Sequence, residues 1–255
     1  GEGLDGLLRA RNQSLVGIVN GIDYDTYNPE KDKKLYKTYN IKNFKKNKAA
    51  NKSGLQKQLG LPVDKNQFVI GIISRLTDQK GLGLIIPILE RFLQHKVQVV
   101  IEGTGDPALQ SQLQSIADQN KSKLVFYPVY DNTLAHQIEA ASDFFLMPSI
   151  FEPCGLNQIY SLAYGTLPIV RSVGGLKNTV IDYDADREHA TGFIFNEPSA
   201  EELLSTLRRT LILYLEDPQE MARIKNNAMK VRFNWSDSCI QYEELYKAAL
   251  QKPKW

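Results

Sequence analysis

Apolar residues recur through the middle of this chain in short blocks separated by polar, helix-forming stretches. Residues 68–74, 97–102, 124–127, 144–147, 167–170 and 192–195 are near-continuous apolar runs. Between them a helical period runs through residues 82–94, 108–120, 133–141 and 159–164. Strands apolar on both sides, alternating with helices, predict a parallel sheet covered on both faces. The right-handed crossover rule makes that sheet doubly wound and Rossmann-like. Beyond residue 195 the pattern is purely helical, over 201–216, 218–232 and 236–251. Ahead of the rhythm, residues 15–19 predict a short strand ended by the turn Asn20-Gly21. Residues 28–57 carry ten lysines among few apolar positions, which predicts a solvated, partly irregular segment. Residues 51–59 then predict a helix closed by Gly60, with Pro62 just beyond.

Composition narrows the class without identifying it. A chain of 255 residues with 42% apolar content suffices for one large domain or two small ones. The formal net charge of +2 argues neither for nor against a polyanionic partner. No RNA-binding module accompanies Tyr36, Tyr39 and Phe44, so no nucleic-acid partner is expected. Cys154 and Cys239 form no disulfide framework or zinc pattern, and His95, His136 and His189 lie too far apart in sequence for a ligand cluster, so no metal site is expected. With no apolar run of 18 residues and no secretory leader, the expectation is a cytoplasmic protein away from membranes. The first residues spell G-x-G-x-x-G (Gly1, Gly3, Gly6), but no strand precedes them as a dinucleotide fingerprint requires. The chain opens without Met and in mid-pattern, which suggests an excised fragment.

Ligands of doubly wound sheets bind beyond the carboxyl ends of the strands. After the first strand, Arg75 and Lys80 leave the sheet within six residues and Gly81 opens a helix. A guanidinium can clamp a phosphate bidentately and an ammonium adds a mobile charge; two solvated loop charges are the plainer reading. After the second comes Gly103-Thr104-Gly105-Asp106-Pro107, a turn that brings backbone close to a ligand and that ordinary strand-helix turns also use. After the third, Tyr130 suits stacking on a base or simple packing.

The fourth strand is followed by Pro148-Ser149-Ile150-Phe151-Glu152-Pro153-Cys154-Gly155-Leu156-Asn157-Gln158. Pro153 presets a turn, Gly155 permits close approach, and amides at the next helix opening face an anion. Glu152 at the mouth of that turn can accept hydrogen bonds from sugar hydroxyls, or is an exposed Glu beside a capped helix. After the fifth strand, Gly174-Gly175-Leu176 opens another helix. Cys154 has no acid or His placed near it by sequence, so it reads as a small thiol and not a nucleophile. His136 reads as a helical His satisfying a local hydrogen bond.

These segments together resemble the bacterial glycogen synthases and plant starch synthases. Ser74-Arg75-Leu76 with Gln79-Lys80-Gly81 is similar to the family's S-R-L…Q-K-G segment, and residues 151–158 to its F-E-P-C-G-L-[TN]-Q signature. Tyr164-Gly165-Thr166-Leu167-Pro168, Gly174-Gly175-Leu176 and Phe233-Asn234-Trp235 match its Y-G-T-x-P, G-G-L and F-[SN]-W segments. The resemblance implies the C-terminal half of a GT-B fold, with residues 1–14 a linker remnant and 15–255 a nucleotide-sugar-binding domain ending in a helical segment. It implies a retaining glucosyltransferase that moves glucose from ADP-glucose to the end of an α-1,4-glucan, without a cofactor or divalent ion. The partner of this half is then a missing N-terminal GT-B domain, which carries the acceptor surface and a catalytic His, and the fragment alone is expected to be inactive.

By position, Arg75 and Lys80 would hold the diphosphate, joined by amides of Gly155, Leu156 and Asn157, while Glu152 would bind the glucose. Tyr130 would stack on adenine, Thr104 and Gly105 would line the nucleotide pocket, and Cys154 would belong to the same nucleotide-sugar-binding set. The last helix would cross toward the other domain, leaving the Trp235 and Tyr242–Leu245–Tyr246 face exposed or packed rather than binding glucan. Two departures stand out. Tyr160 occupies the position where many related transferases have a ribose-binding Glu, and the family's Lys-Thr-Gly-Gly-Leu loop is absent. Another donor and acceptor, or a non-catalytic nucleotide-binding module, are the alternatives.

Overall fold

The computed structural model describes residues 3–251. Its sheet contains β1 (Phe68–Ile73), β2 (Val97–Glu102), β3 (Leu124–Tyr127), β4 (Phe144–Met147), β5 (Leu167–Arg171) and β6 (Phe193–Phe195). All neighbours are parallel, in the order β3-β2-β1-β4-β5-β6. This is the expected doubly wound topology: the chain winds outward from β1 to one edge, returns to β4, and winds to the other edge. Winding reverses between β1 and β4, where loops leaving in opposite directions open a crevice. The strands are largely apolar because both faces are covered; Phe68, Val100, Ile101, Phe144, Phe145 and Val170 are all buried.

Helices occupy α1 (Asp5–Ala10), α2 (Phe44–Gln58), α3 (Leu82–Phe92), α4 (Pro107–Gln119), α5 (Asn132–Ala141), α6 (Asn157–Ala163), α7 (Gly174–Thr179), α8 (Ala200–Glu216), α9 (Pro218–Ala228) and α10 (Trp235–Leu250). Their starts follow local chemistry. The Asp106 carboxylate accepts from the amides of Ala108 and Leu109, and Asp131 does the same for Thr133 and Leu134. Each side chain satisfies amides that the helix leaves without a carbonyl partner. Pro107 and Pro218 sit in the first turns of α4 and α9, where the missing N–H costs nothing.

The chain divides into two compact units, one from Tyr24 to Arg232 and the other from the residues up to Asp23 with those from Phe233 onward. The larger holds the sheet and helices α2 to α9. In the smaller, the Ile22 amide donates to the Phe233 carbonyl (3.0 Å) and the Ser238 hydroxyl to the Val19 carbonyl (2.7 Å). Along α10, Trp235, Ile240, Tyr242 and Tyr246 are exposed.

Two expectations fail. Residues 15–19 form no strand, and part of the G-x-G-x-x-G run, Gly1 and Glu2, lies outside the described residues. The lysine-rich segment is partly irregular, over 28–43, and most of its lysines are exposed, but it is not solvated throughout. α2 begins at Phe44, seven residues ahead of the expected start, and turns Lys48 and Lys52 inward. Lys48 Nζ donates to the Ala140 carbonyl (2.8 Å) and to Thr166 Oγ1 (2.6 Å). Lys52 Nζ donates to the Gln67 carbonyl (2.8 Å) and to Asp143 Oδ2 (2.5 Å). Lys52 is tolerated because Asp143 pairs with it, whereas Lys48 has only neutral acceptors and burial lowers its proton affinity.

Candidate functional site

Lys80 and Glu152 meet across the crevice between β1 and β4. Lys80 Nζ lies 2.5 Å from Glu152 Oε2, a contact between residues 72 apart in the sequence. Ser149 Oγ donates to the same carboxylate oxygen at 3.1 Å. The loops carrying them are pinned to one another. The Ile150 amide donates to the Gln79 carbonyl (2.8 Å), and Gln79 Nε2 to the Phe151 carbonyl (3.1 Å). Gly81, at φ 76°, passes so close that a Cβ there would lie 2.0 Å from the Pro148 carbonyl oxygen. Only glycine fits that left-handed conformation at that distance.

The Glu152 loop is braced from its other side. Arg171, at the end of β5, donates to the carbonyls of Ser149 (2.8 Å through Nε) and Ile150. Gly174 takes φ 47°, and a Cβ there would meet the Glu152 carbonyl oxygen at 2.0 Å. Asn157 Nδ2 donates to the Ile73 carbonyl at the end of β1 (3.0 Å), tying the start of α6 to the first strand. Gln158, buried, donates to the carbonyls of Cys154 (3.0 Å) and Gly155 (3.2 Å). Gly155, Leu156 and Asn157 thus lead into α6 on a fixed path, ahead of the first bonds of that helix, which the Leu156 carbonyl accepts from the Ile159 and Tyr160 amides (both 2.9 Å). Cys154 is half-buried in this turn and does not form a disulfide.

The other sequence-predicted residues share the same edge. Arg75 is exposed, one residue before Leu76, which bridges to Gly105 in parallel fashion. The Leu76 amide donates to the Thr104 carbonyl (2.9 Å) and the Asp106 amide to the Leu76 carbonyl (2.9 Å), so the loops after β1 and β2 continue the sheet's pairing. Thr104 and Gly105 are exposed on that rim. Tyr130, after β3, is 62% exposed, so its ring is open for stacking rather than packed away. Lys80 and Glu152 touch directly, whereas Arg75, Thr104, Gly105 and Tyr130 stand on neighbouring loops of one rim.

Several residues of this region were not singled out by sequence. Glu102, the last residue of β2, is fully buried; its Oε1 accepts from the Asp131 amide at 2.6 Å, and Oε2 has no partner. Burial pushes its carboxyl up to about 7, against the partial relief of the Asp131 amide. Tyr27 stacks on Tyr160 (ring centroids 3.5 Å apart, 5° between planes) and also on His136 (4.8 Å, 12°). The His136 bond is not local as expected: Nδ1 lies 2.7 Å from Asp32 Oδ2, which also accepts from the Tyr164 hydroxyl at 2.6 Å. Lys34 Nζ is 3.2 Å from His136 Nε2. An ammonium has no lone pair, so Nε2 must accept and Nδ1 must carry the hydrogen given to Asp32. Burial pushes the Asp32 carboxyl up, but the bonds from His136 and Tyr164 prevail and hold it below its ordinary value. Nothing in the local sequence at Tyr27 or Asp32 announced these contacts. The signal for Glu102 was a lone acid ending an apolar run.

Among the described residues, no three His, Cys, Asp or Glu side chains gather as a metal-ligand set, and no helix is long and apolar enough to cross a membrane. The arrangement offers two cations, helix-entry amides, an exposed aromatic ring and a carboxylate on one rim. That set suits a ligand with a diphosphate, a planar base and hydroxyl groups.

Comparison with known proteins identifies the family. The family profile described as "Glycosyl transferases group 1" matches residues 56–231. A glycogen synthase of Aeromonas hydrophila subsp. hydrophila is 53% identical over 251 residues, 98% of this chain and 51% of the relative. One from Photobacterium profundum is 52% identical over 248 residues, covering 96% and 48%. The solved catalytic domain of starch synthase IV from Arabidopsis thaliana, bound to ADP and acarbose, superposes with a TM-score of 0.91 at 37% identity, covering 99% of this chain and 52% of that one. A sucrose-phosphate synthase from Thermosynechococcus elongatus, at 21% identity and a TM-score of 0.64, shares the fold. The chain spans about half the length of the curated relatives it matches.

Proposed function

The chain belongs to the group 1 glycosyl transferases, and from that premise we propose that it is the donor-binding half of a glycogen or starch synthase. In this reading the donor is ADP-glucose and the acceptor is the non-reducing end of an α-1,4-glucan, and the anomeric configuration is retained. The Lys80–Glu152 contact at the winding reversal carries the proposal, because it sets a phosphate-seeking cation beside a hydroxyl-accepting carboxylate. An N-terminal GT-B domain would complete the cleft and hold the glucan. We place the reaction in the cytoplasm, a compartment that keeps Cys154 and Cys239 reduced.

The chemistry asked of these residues is electrostatic. The bond between the glucose anomeric carbon and the β-phosphate oxygen breaks, and ADP leaves with the electron pair. A new bond forms from that carbon to the acceptor 4-hydroxyl oxygen, whose proton passes to the departing phosphate. Negative charge therefore grows on the diphosphate. Arg75 and Lys80 are assigned to receive it, with the amides of Gly155, Leu156 and Asn157. In the free protein Lys80 is held by Glu152; an arriving diphosphate competes for that ammonium and releases the carboxylate toward the sugar hydroxyls. Glu152 then favours positive charge at the anomeric centre. Tyr130 is assigned to stack on adenine, Thr104 and Gly105 to line the pocket, and Cys154 to shape the turn through its backbone.

The test is glucosyl transfer from ADP-glucose to glycogen by the complete enzyme carrying Lys80→Ala. One lost charge-assisted contact removes roughly 2–4 kcal/mol of transition-state stabilisation, a ~30- to 1000-fold fall in rate. Near-normal turnover would refute the assignment. UDP-glucose used in preference to ADP-glucose would instead move the protein to another donor class.

A further inference from the structure

A cavity of about 580 Å³ opens at the amino-terminal ends of β1 and β4, on the sheet edge opposite the rim described above. Five lysines line it: Lys45, Lys48 and Lys52 from α2, Lys65 from the turn before β1, and Lys225 from α9. Asp143 is the single carboxylate in its wall. That carboxylate is already engaged by Lys52 Nζ (2.5 Å) and Lys225 Nζ (2.9 Å). Burial tends to push it up, yet the two ammonium groups hold it down to about 2. Lys45 and Lys65 stand exposed at the mouth, and neither makes an ion pair among the described residues. Deeper in, Lys48 loses proton affinity, first to burial and then to the like charges of Lys225 and Lys52.

Even with Lys48 set aside, four lysines from three chain segments share this cavity with one carboxylate, and that excess of positive charge in a concave site is relieved by an anion. Salt bridging accounts for Lys52 and Lys225, while Lys45 and Lys65 line the cavity as exposed cations without an ion pair among the described residues. The remaining wall is largely apolar, with Phe44, Leu215 and Met221, and the Tyr214 hydroxyl borders it. We propose that this cavity binds a phosphate group borne by a small organic molecule. A dianionic phosphate presents several acceptor oxygens to converging point-charge donors, and its carbon body meets the apolar wall. The site is separate from the donor rim and does not depend on how that rim is read.

Calorimetric titrations with inorganic phosphate and with glucose 1-phosphate, at constant ionic strength, test this on three forms: the unaltered chain, Lys45→Ala/Lys65→Ala, and Lys80→Ala. Both substituted mouth lysines are exposed, so folding is preserved. Saturable binding is expected, at least ten-fold weaker in the double variant and unchanged in Lys80→Ala. Glucose 1-phosphate is expected to bind more tightly than inorganic phosphate; equal or weaker binding would overturn the organic occupant. No saturable binding, binding that survives the double substitution, or binding lost with Lys80→Ala would each overturn the proposal, the last by placing the anion at the donor rim.

Discussion

Glu102 ends β2 with its carboxyl fully buried and one oxygen without a partner. Its carboxyl titrates near 7 in the fold, above the ordinary 4.5, because burial disfavours the charged form. The folded state therefore binds the proton more tightly than the unfolded chain. The stabilising difference is fully present below 4.5 and is lost as pH rises through 7. The shift corresponds to about 3 kcal/mol between those limits. Glu102→Gln removes the titration, so urea unfolding at pH 5 and pH 8 should show a smaller fall in stability with rising pH for the variant than for the unaltered protein. An identical fall in both would refute this account of Glu102. Since the Glu102 carboxylate accepts the Asp131 amide next to Tyr130, the same titration bears on the loop assigned to the base.

At the scale of elements, α2 is fastened to the sheet by charge as well as by its apolar face. Phe44 and Leu55 pack inward while Lys52 reaches Asp143, which Lys225 of α9 also grips. Asp143→Asn leaves two buried ammonium groups facing a neutral amide and should destabilise the protein by about 3–5 kcal/mol, measured by urea unfolding at neutral pH. In the unaltered protein the Asp143 contribution is complete above 3.8 and is lost as pH falls through about 2. β2, β3 and β4 could be read from sequence to the residue, because strands of a covered parallel sheet are near-continuous apolar runs; β2 breaks the pattern only at Gln98 and Glu102. α2 could not, because a lysine bonded to a buried carbonyl and a solvated lysine look alike in a sequence. The same limit hid Asp32, whose partner His136 lies 104 positions away, and Tyr27, whose stacking on Tyr160 depends on how the chain returns to α6.

At the scale of the molecule, the parallel topology explains why so many candidate residues were legible. Every strand points the same way, so every loop after a strand falls on one edge, and residues far apart in sequence meet there without any local sign. Direction alone put Arg75, Thr104, Tyr130 and Glu152 on a common rim. The contact of Lys80 with Glu152 required the β1–β4 adjacency as well. That rim is the basis for assigning the chain a nucleotide diphosphate, and the chain spans about half the length of its relatives. Weak ADP binding and essentially no glucosyl transfer are therefore the expected properties of these 255 residues alone. Calorimetric titration of ADP into this chain, with and without Lys80→Ala, tests the claim most directly. Saturable binding at least ten-fold weaker in the variant is the predicted result; no binding, or equal binding by both forms, would contradict it.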